Sequence, residues 1–125
     1  MKVSQVIPIL RIFDEAKAHE FYIGWLGFSI DWTHSFDENA PIYMQNNGIV
    51  LHLSEHHGDC TLGAKVFIEC EGVRELHQEL NDKKYKYNRP GLVEEPWDSI
   101  SVTVVDPFMN RLVFNERLNS EKKQI

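Results

Sequence analysis

The chain predicts an α+β fold made of two βαβββ repeats. Three observations lead there. The order strand, helix, three strands occurs twice; the strand segments alternate apolar and polar residues; and each helical segment carries apolar residues at helical spacing. At 125 residues the chain has the size of one domain, read here as 1–125 with half-repeats over about 3–57 and 63–117. Hydrophobic residues make up 42%, enough for a sizeable core. Each half would leave one sheet open and half-buried. Side by side the two sheets would form a curved trough, which is a shape suited to a small molecule.

The first half begins with KVSQVIPILRIF, a strand interrupted by Pro8. Proline cannot donate to a ladder, so this strand is an edge, or it bends or leaves the sheet at that point. Asp14 is placed to cap a helix over DEAKAHEFYIGWLGF, with Ala18, Phe21 and Trp25 at helical spacing, Tyr22 and Leu26 beside them, and Gly27 as the terminator. FSIDWTHSF, PIYMQNNG and IVLHLSEHH follow as strands, the last two joined by the hairpin signal Asn47-Gly48. In the second half GAKVFIECEG reads as a strand, and VRELHQELNDKK as a helix with Val73, Leu76 and Leu80 on one face. YKYNRPGLVEEP, SISVTVVDP and NRLVFNE supply three more strands. The charged tail LNSEKKQI reads as frayed.

A formal net charge of −6 argues against a nucleic-acid surface and favours a neutral or cationic small partner. No apolar run approaches the ~20 residues of a membrane span, and no secretory signal precedes the first strand. Cys60 and Cys70 are too few for a disulfide framework and read as reduced thiols of a cytoplasmic protein. Phosphate-binding glycine loops, nucleophile elbows and Cys-x-x-Cys pairs are absent from the sequence.

Phe21-Tyr22 followed by Leu26-Gly27-Phe28 in the first helix, and Asp106-Pro107 leading to Asn110 before the last strand, carry a resemblance. With the repeated βαβββ order they resemble the vicinal oxygen chelate, or glyoxalase/bleomycin-resistance, superfamily over nearly the whole chain. Met109 stands where that family commonly has glycine, in a turn that does not itself require glycine there.

Enzymes of the superfamily hold a divalent metal with His, Glu or Gln at four strand positions, which fall here on Ile7, His52, Lys65 and Val113. Isoleucine and valine carry no donor, and a protonated lysine repels a cation. His52 alone could ligate, and one ligand does not hold a catalytic metal. Glu116 becomes a second candidate ligand, a carboxylate, only if the last strand is shifted. The cluster HLSEHHGDC places Glu55, His56, His57, Asp59 and Cys60 close together. Successive strand residues point to opposite faces, so a solvated turn between the halves is the reading adopted.

Two features resemble the metal-free bleomycin resistance proteins of the superfamily more than its enzymes. Pro8 matches a proline that helps exchange the first strand between two subunits. EEPWDSISVTVVDP resembles that group's Glu-x-Pro-Trp segment, whose tryptophan stacks on the drug's flat rings. The residues alone leave Trp97 three destinations: core, subunit contact or ligand. The resemblance implies the ligand, with Phe36 near a second aromatic position and Phe67 where a further tryptophan usually stands. His52 lines the site on this reading, and Asp31, Glu94 and Glu95 lie near its mouth. Trp32 is either part of it or filler of core or interface.

The implied function is sequestration of a flat, cationic, bleomycin-type antibiotic in clefts of a homodimer, with no cofactor and no catalysis. The rival is a metal-dependent lyase, dioxygenase or thiol transferase using His52 and Glu116. A partner domain with a vestigial cleft is the third class.

Overall fold

The structure, a computed structural model, describes residues 1–33 and 42–118. Chain contacts divide it into two units: Met1–Ala64 with Asp106–Asn110, and Lys65–Val105 with the chain from Arg111 onward.

The first unit contains β1 (Ile9–Arg11), α1 (Glu15–Ala18) with a π-helical continuation over His19–Trp25, β2 (Ser29–Thr33), β3 (Ile42–Asn46) and β4 (Ile49–Ser54). Its sheet runs in the order β1-β4-β3-β2, with β1 parallel to β4 and the other pairs antiparallel. β1 is shorter than the segment expected to form it. Residues 2–8 make no ladder, and the strand starts only after Pro8, whose carbonyl accepts from the His52 N–H. Between Ile30 and Trp32 the β2 register shifts against Met44 and Tyr43, which makes Asp31 the extra residue of a bulge. The hairpin at Asn47-Gly48 has positive φ at both residues, 49° and 91°, as the dipeptide predicts.

Asp14 caps α1 by accepting from the Lys17 N–H at 3.0 Å. The helix was expected to run regularly to Gly27, but its second half is π-wound. Leu26 N–H reaches the Phe21 carbonyl, and Phe28 N–H reaches that of Tyr22, around Gly27 at φ 89°. The wider winding accompanies the burial of four large residues, Phe21, Tyr22, Trp25 and Leu26. Their rings meet at 4.8 Å (Phe21–Tyr22) and 5.3 Å (Phe21–Trp25). With Leu10, Ile12, Met44, Leu51 and Leu53 they form the buried set of this unit.

The turn Asp106–Asn110 belongs to the same unit and anchors it. Asp106 is buried and its carboxylate accepts four hydrogen bonds, each of 2.7–2.8 Å: from Tyr22 Oη, Phe108 N, Asn110 N and Asn110 Nδ2. Asn110 also donates to the Arg11 carbonyl and accepts from the Ala64 N–H. Burial, and then the neighbouring Asp106 carboxylate, push the Tyr22 phenol far above its ordinary pKa, so it stays a neutral donor. Met109 sits at φ 73°, the region glycine favours, so the expectation that this position makes no demand for glycine is corrected.

The second unit repeats the plan: β5 (Lys65–Glu69), α2 (Val73–Asp82), β6 (Leu92–Glu95), β7 (Ser99–Val105) and β8 (Arg111–Arg117), in the order β5-β8-β7-β6 with β5 parallel to β8. Ile100, Val102, Val104, Leu112 and Phe114 are the apolar strand residues buried on one face of its sheet, and α2 contributes Val73 and Leu80 and packs against β7 and β8. Of YKYNRPGLVEEP only Leu92–Glu95 is strand. Pro90 lacks an N–H and Gly91 follows it, so residues 85–91 form an irregular connection instead.

Candidate functional site

The site is built on the outward face of the second unit's sheet and on the hairpin at its edge. β6 and β7 are joined by Pro96-Trp97-Asp98, with Glu95 opposite Ser99. Pro96 sets the first corner, Asp98 N–H bonds the Glu95 carbonyl at 3.2 Å, and Asp98 takes the left-handed conformation at φ 63°. This is a three-residue loop of the kind that follows a type I turn with one left-handed residue. It puts the indole of Trp97 at the tip, 56% exposed. The core destination for Trp97 is thereby removed.

Ladder register then places side chains in rows. One row is Arg117, Ser99 and Glu95; the next is Glu69, Asn115, Ser101 and Val93; a third is Phe67, Val113 and Thr103. Alternation puts all three rows on the face opposite Ile100, Val102 and Val104. Phe67 stands 53% exposed beside buried Val113. Ser99 Oγ donates to Asn115 Oδ1 at 2.8 Å, and Ser101 Oγ donates to Glu95 Oε2 at 3.0 Å. Arg117 Nε pairs with Glu69 at 2.8 Å. Three polar residues, Ser99, Ser101 and Asn115, are buried here, and each is hydrogen-bonded. Exposed Phe67 on β5 and exposed Val93 on β6 stand at opposite edges of this face, with an ordered set of hydroxyl, amide and carboxylate groups between them, and Trp97 is exposed at the hairpin tip. Such a surface binds by stacking and hydrogen bonding and needs no covalent step.

Sequence reasoning had pointed to Trp97, Phe67, Glu94 and Glu95 but missed Ser99, Ser101, Asn115, Glu69 and Arg117. The signal was present: serines alternate with Ile100 and Val102, so they had to share the face opposite the core. Glu94 lies on β6 with the alternation of the other face.

In the first unit His52 is half-buried on β4, in register with Ile9 on β1 and Tyr43 on β3. Burial lowers its pKa, so the imidazole is neutral at pH 7. Trp32 is the register partner of Tyr43, and Asp31 precedes it in the bulge. Phe36 lies outside the described residues. Pro8 separates β1 from a segment whose Val3 and Val6 are exposed. The turn after β4 is polar and self-bonded: Ser54 Oγ donates to Asp59, Gly58 N–H to His56 Nδ1, and the His56 and His57 rings stack at 5.1 Å. Burial raises the pKa of both Cys60 and Cys70, which keeps them thiols.

The superfamily's metal fits these residues poorly. Ile7 and Val113 offer no donor atom, and Lys65 is an exposed cation on β5. Glu116 is occupied elsewhere: its Oε1 accepts from the Val73 N–H at 3.1 Å at the start of α2, on the face opposite Val113. Among the described residues no group of three His, Cys, Asp or Glu side chains is arranged to hold a metal ion.

Comparison with known proteins places this geometry in a family. The profile of the Glyoxalase superfamily protein family matches residues 1–121. A bleomycin resistance protein of Geobacillus stearothermophilus is 29% identical over 135 aligned positions, covering 93% of this chain and 98% of that protein. A bleomycin resistance determinant encoded on transposon Tn5 superposes with a TM-score of 0.74 at 18% identity, over 94% of this chain and 100% of the other. A bleomycin-binding protein from Streptomyces verticillus, solved with copper(II)-bleomycin, is 25% identical with a TM-score of 0.66, over 91% and 96% of the two chains. No helix among the described residues is long and apolar enough to cross a membrane. The chain belongs to the glyoxalase superfamily.

Proposed function

We propose that the protein binds a bleomycin-type antibiotic, flat in one part and cationic in another, and confers resistance by sequestering it. The observation that carries this reading is Trp97: a tryptophan 56% exposed on a well-formed hairpin, at the end of a sheet whose outward face carries satisfied polar groups and, on its far edge strand, exposed Phe67. An indole held out in water by an ordered turn has no packing role within its own chain that accounts for it. Stacking on it would contribute on the order of 0.5–2 kcal/mol, with a cation adding attraction to the ring face. Glu95 and the net charge of −6 favour a cationic ligand over an anionic one. Relatives named as bleomycin resistance and bleomycin-binding proteins support the choice of drug class.

On this reading the active species is a cytoplasmic homodimer in which the segment ahead of Pro8 pairs with a second subunit. Val3 and Val6, exposed outside the sheet, supply apolar surface for that exchange. Binding is stoichiometric, uses no cofactor and leaves the drug intact. His52, Trp32, Asp31 and Phe36 are assigned to the ligand's surroundings by the family resemblance, alongside Trp97 and Phe67.

Calorimetric titration with metal-free bleomycin, in a buffer containing a chelator, tests the reading. Saturation at one or two drugs per dimer, with chemically unchanged drug recovered afterwards, is the expected result. Conversion of the drug, or binding that vanishes on chelation, would replace sequestration with a metal-dependent activity.

A further inference from the structure

The end of α2 and the connection to β6 enclose a cleft of about 350 Å³ lined by Asn81, Lys84, Tyr85, Asn88 and Arg89. Its walls are fixed by the chain itself. Asn81 Nδ2 donates to the His77 and Pro90 carbonyls, and Asn88 Nδ2 to the Val105 carbonyl, so both side chains hold the connection in place. Lys84 takes φ 53°, with its N–H on the Asn81 carbonyl, which turns the chain around the cleft. The lining contains two cations and no carboxylate. Among the described residues, neither Lys84 nor Arg89 has an ion pair. The stretch 83–89 contains Lys83, Lys84, Lys86 and Arg89 and no acidic residue, in a chain whose net charge is −6. A helix C-terminus favours Lys83 and Lys84 through its dipole. That effect fades within the last turn and does not account for Arg89 on the connection.

We propose that this cleft is an anion site that takes a phosphate group, separate from the antibiotic-binding face. The two cations that line the cleft match a dianion in charge, and the guanidinium fork of Arg89 suits an oxyanion that accepts two hydrogen bonds at once. Phosphate monoesters are largely dianionic at pH 7.5, since their second pKa is about 6, and inorganic phosphate, whose second pKa is higher, is a mixture of dianion and monoanion there. A cleft of about 350 Å³ holds a phosphate or a small phosphate ester.

The test is a nitrogen–proton NMR titration of the full chain at pH 7.5 with inorganic phosphate and, separately, with glycerol 2-phosphate, against sodium chloride at matched ionic strength. The amides of Lys84, Tyr85, Asn88 and Arg89 should shift saturably with one or both phosphates and not with chloride. Lys84→Gln and Arg89→Gln should each weaken binding by about tenfold or more, and Arg89→Lys by less than Arg89→Gln. Both side chains are exposed, and an unchanged remainder of each variant's spectrum verifies its fold. Saturation by both phosphates assigns the phosphate group itself as the ligand; saturation by one alone assigns free phosphate or an organic ester. Shifts that stay linear, that chloride reproduces, or that survive both Gln substitutions would overturn the site.

Discussion

The turns Glu95–Ser99 and Asp106–Asn110 are built alike. Each runs acid, proline, aromatic, left-handed residue, polar residue: Glu95-Pro96-Trp97-Asp98-Ser99 and Asp106-Pro107-Phe108-Met109-Asn110. In each the fourth residue's N–H returns to the acid's carbonyl, at 3.2 Å and 3.3 Å, with φ of 63° and 73° at that fourth residue. Their aromatics have opposite fates. Phe108 is 5% exposed and meets Phe13 at 6.2 Å, while Trp97 is 56% exposed. Their acids differ too, since Asp106 is buried under four hydrogen bonds and Glu95 accepts from Ser101 at the sheet's outer face. The same backbone device thus locks the fold in one place and presents a ring to solvent in the other. Since the proline and the left-handed residue already define the turn, Trp97 is not needed to form it.

The comparison breaks if substitutions at the two turns cost the same. The largest contrast should come from the acids. Asp106→Ala leaves the Tyr22 hydroxyl and the N–H groups of Phe108 and Asn110 buried without their acceptor, at about 3–5 kcal/mol together. Glu95→Ala takes the acceptor from one hydroxyl only, that of Ser101, and should lose about 1–2 kcal/mol, and urea denaturation of the two variants reads both values. Among the aromatics, Phe108→Ala should destabilise by about 3 kcal/mol through the cavity it opens. Trp97→Ala should stay within about 0.5 kcal/mol, as surface positions do.

Tyr22→Phe removes one bond to Asp106 and should cost about 1–1.5 kcal/mol at pH 7. It also carries a pH signature. The folded pKa of Tyr22 is raised, so its contribution is fully present below the unfolded value near 10 and is lost as pH rises toward the folded one. Above about pH 10 the unfolded state gives up that proton and the folded state keeps it, a slope of about −1.4 kcal/mol per pH unit. Stability measured from pH 9 to 11.5 should therefore decline less steeply in Tyr22→Phe than in the parent. The smallest contrast is at the left-handed residues. Met109→Gly should stabilise the protein by roughly 1 kcal/mol, whereas Asp98→Gly should change it by only a few tenths, because aspartate tolerates that conformation better.

Much of the fold was legible because its signals are local. Asp14 as a cap, Asn47-Gly48 as a hairpin and the alternation through Ile100, Val102 and Val104 each depend on a few neighbouring residues. What stayed hidden depends on partners distant in sequence. The π winding of His19–Trp25 accompanies the burial of four large side chains, and helical spacing alone does not register it. The left-handed Met109 follows from a turn tied down by Tyr22, 84 residues away from Asp106. At the candidate site, it is the resemblance that points to Trp97 and Phe67. The hydroxyl rows beside them became visible only with register, because Ser99 and Ser101 are unremarkable until Asn115 and Glu95 are seen opposite. Glu116 could pass for a ligand until its partner, the first N–H of α2, was known.

The central claim is that Trp97 is a ligand platform, and tryptophan emission during a bleomycin titration tests it most directly. The chain has three tryptophans, so the parent is compared with Trp97→Phe, which keeps a ring but removes the reporting indole, and with Trp97→Ala. Trp25 is buried, so a solvent-borne drug reaches it least. Saturable quenching of the parent by metal-free drug is predicted, with a smaller amplitude in Trp97→Phe and calorimetric affinity reduced about tenfold in Trp97→Ala. Equal drug affinity in the parent and in Trp97→Ala would contradict the account and leave Trp97 an ornament of its turn.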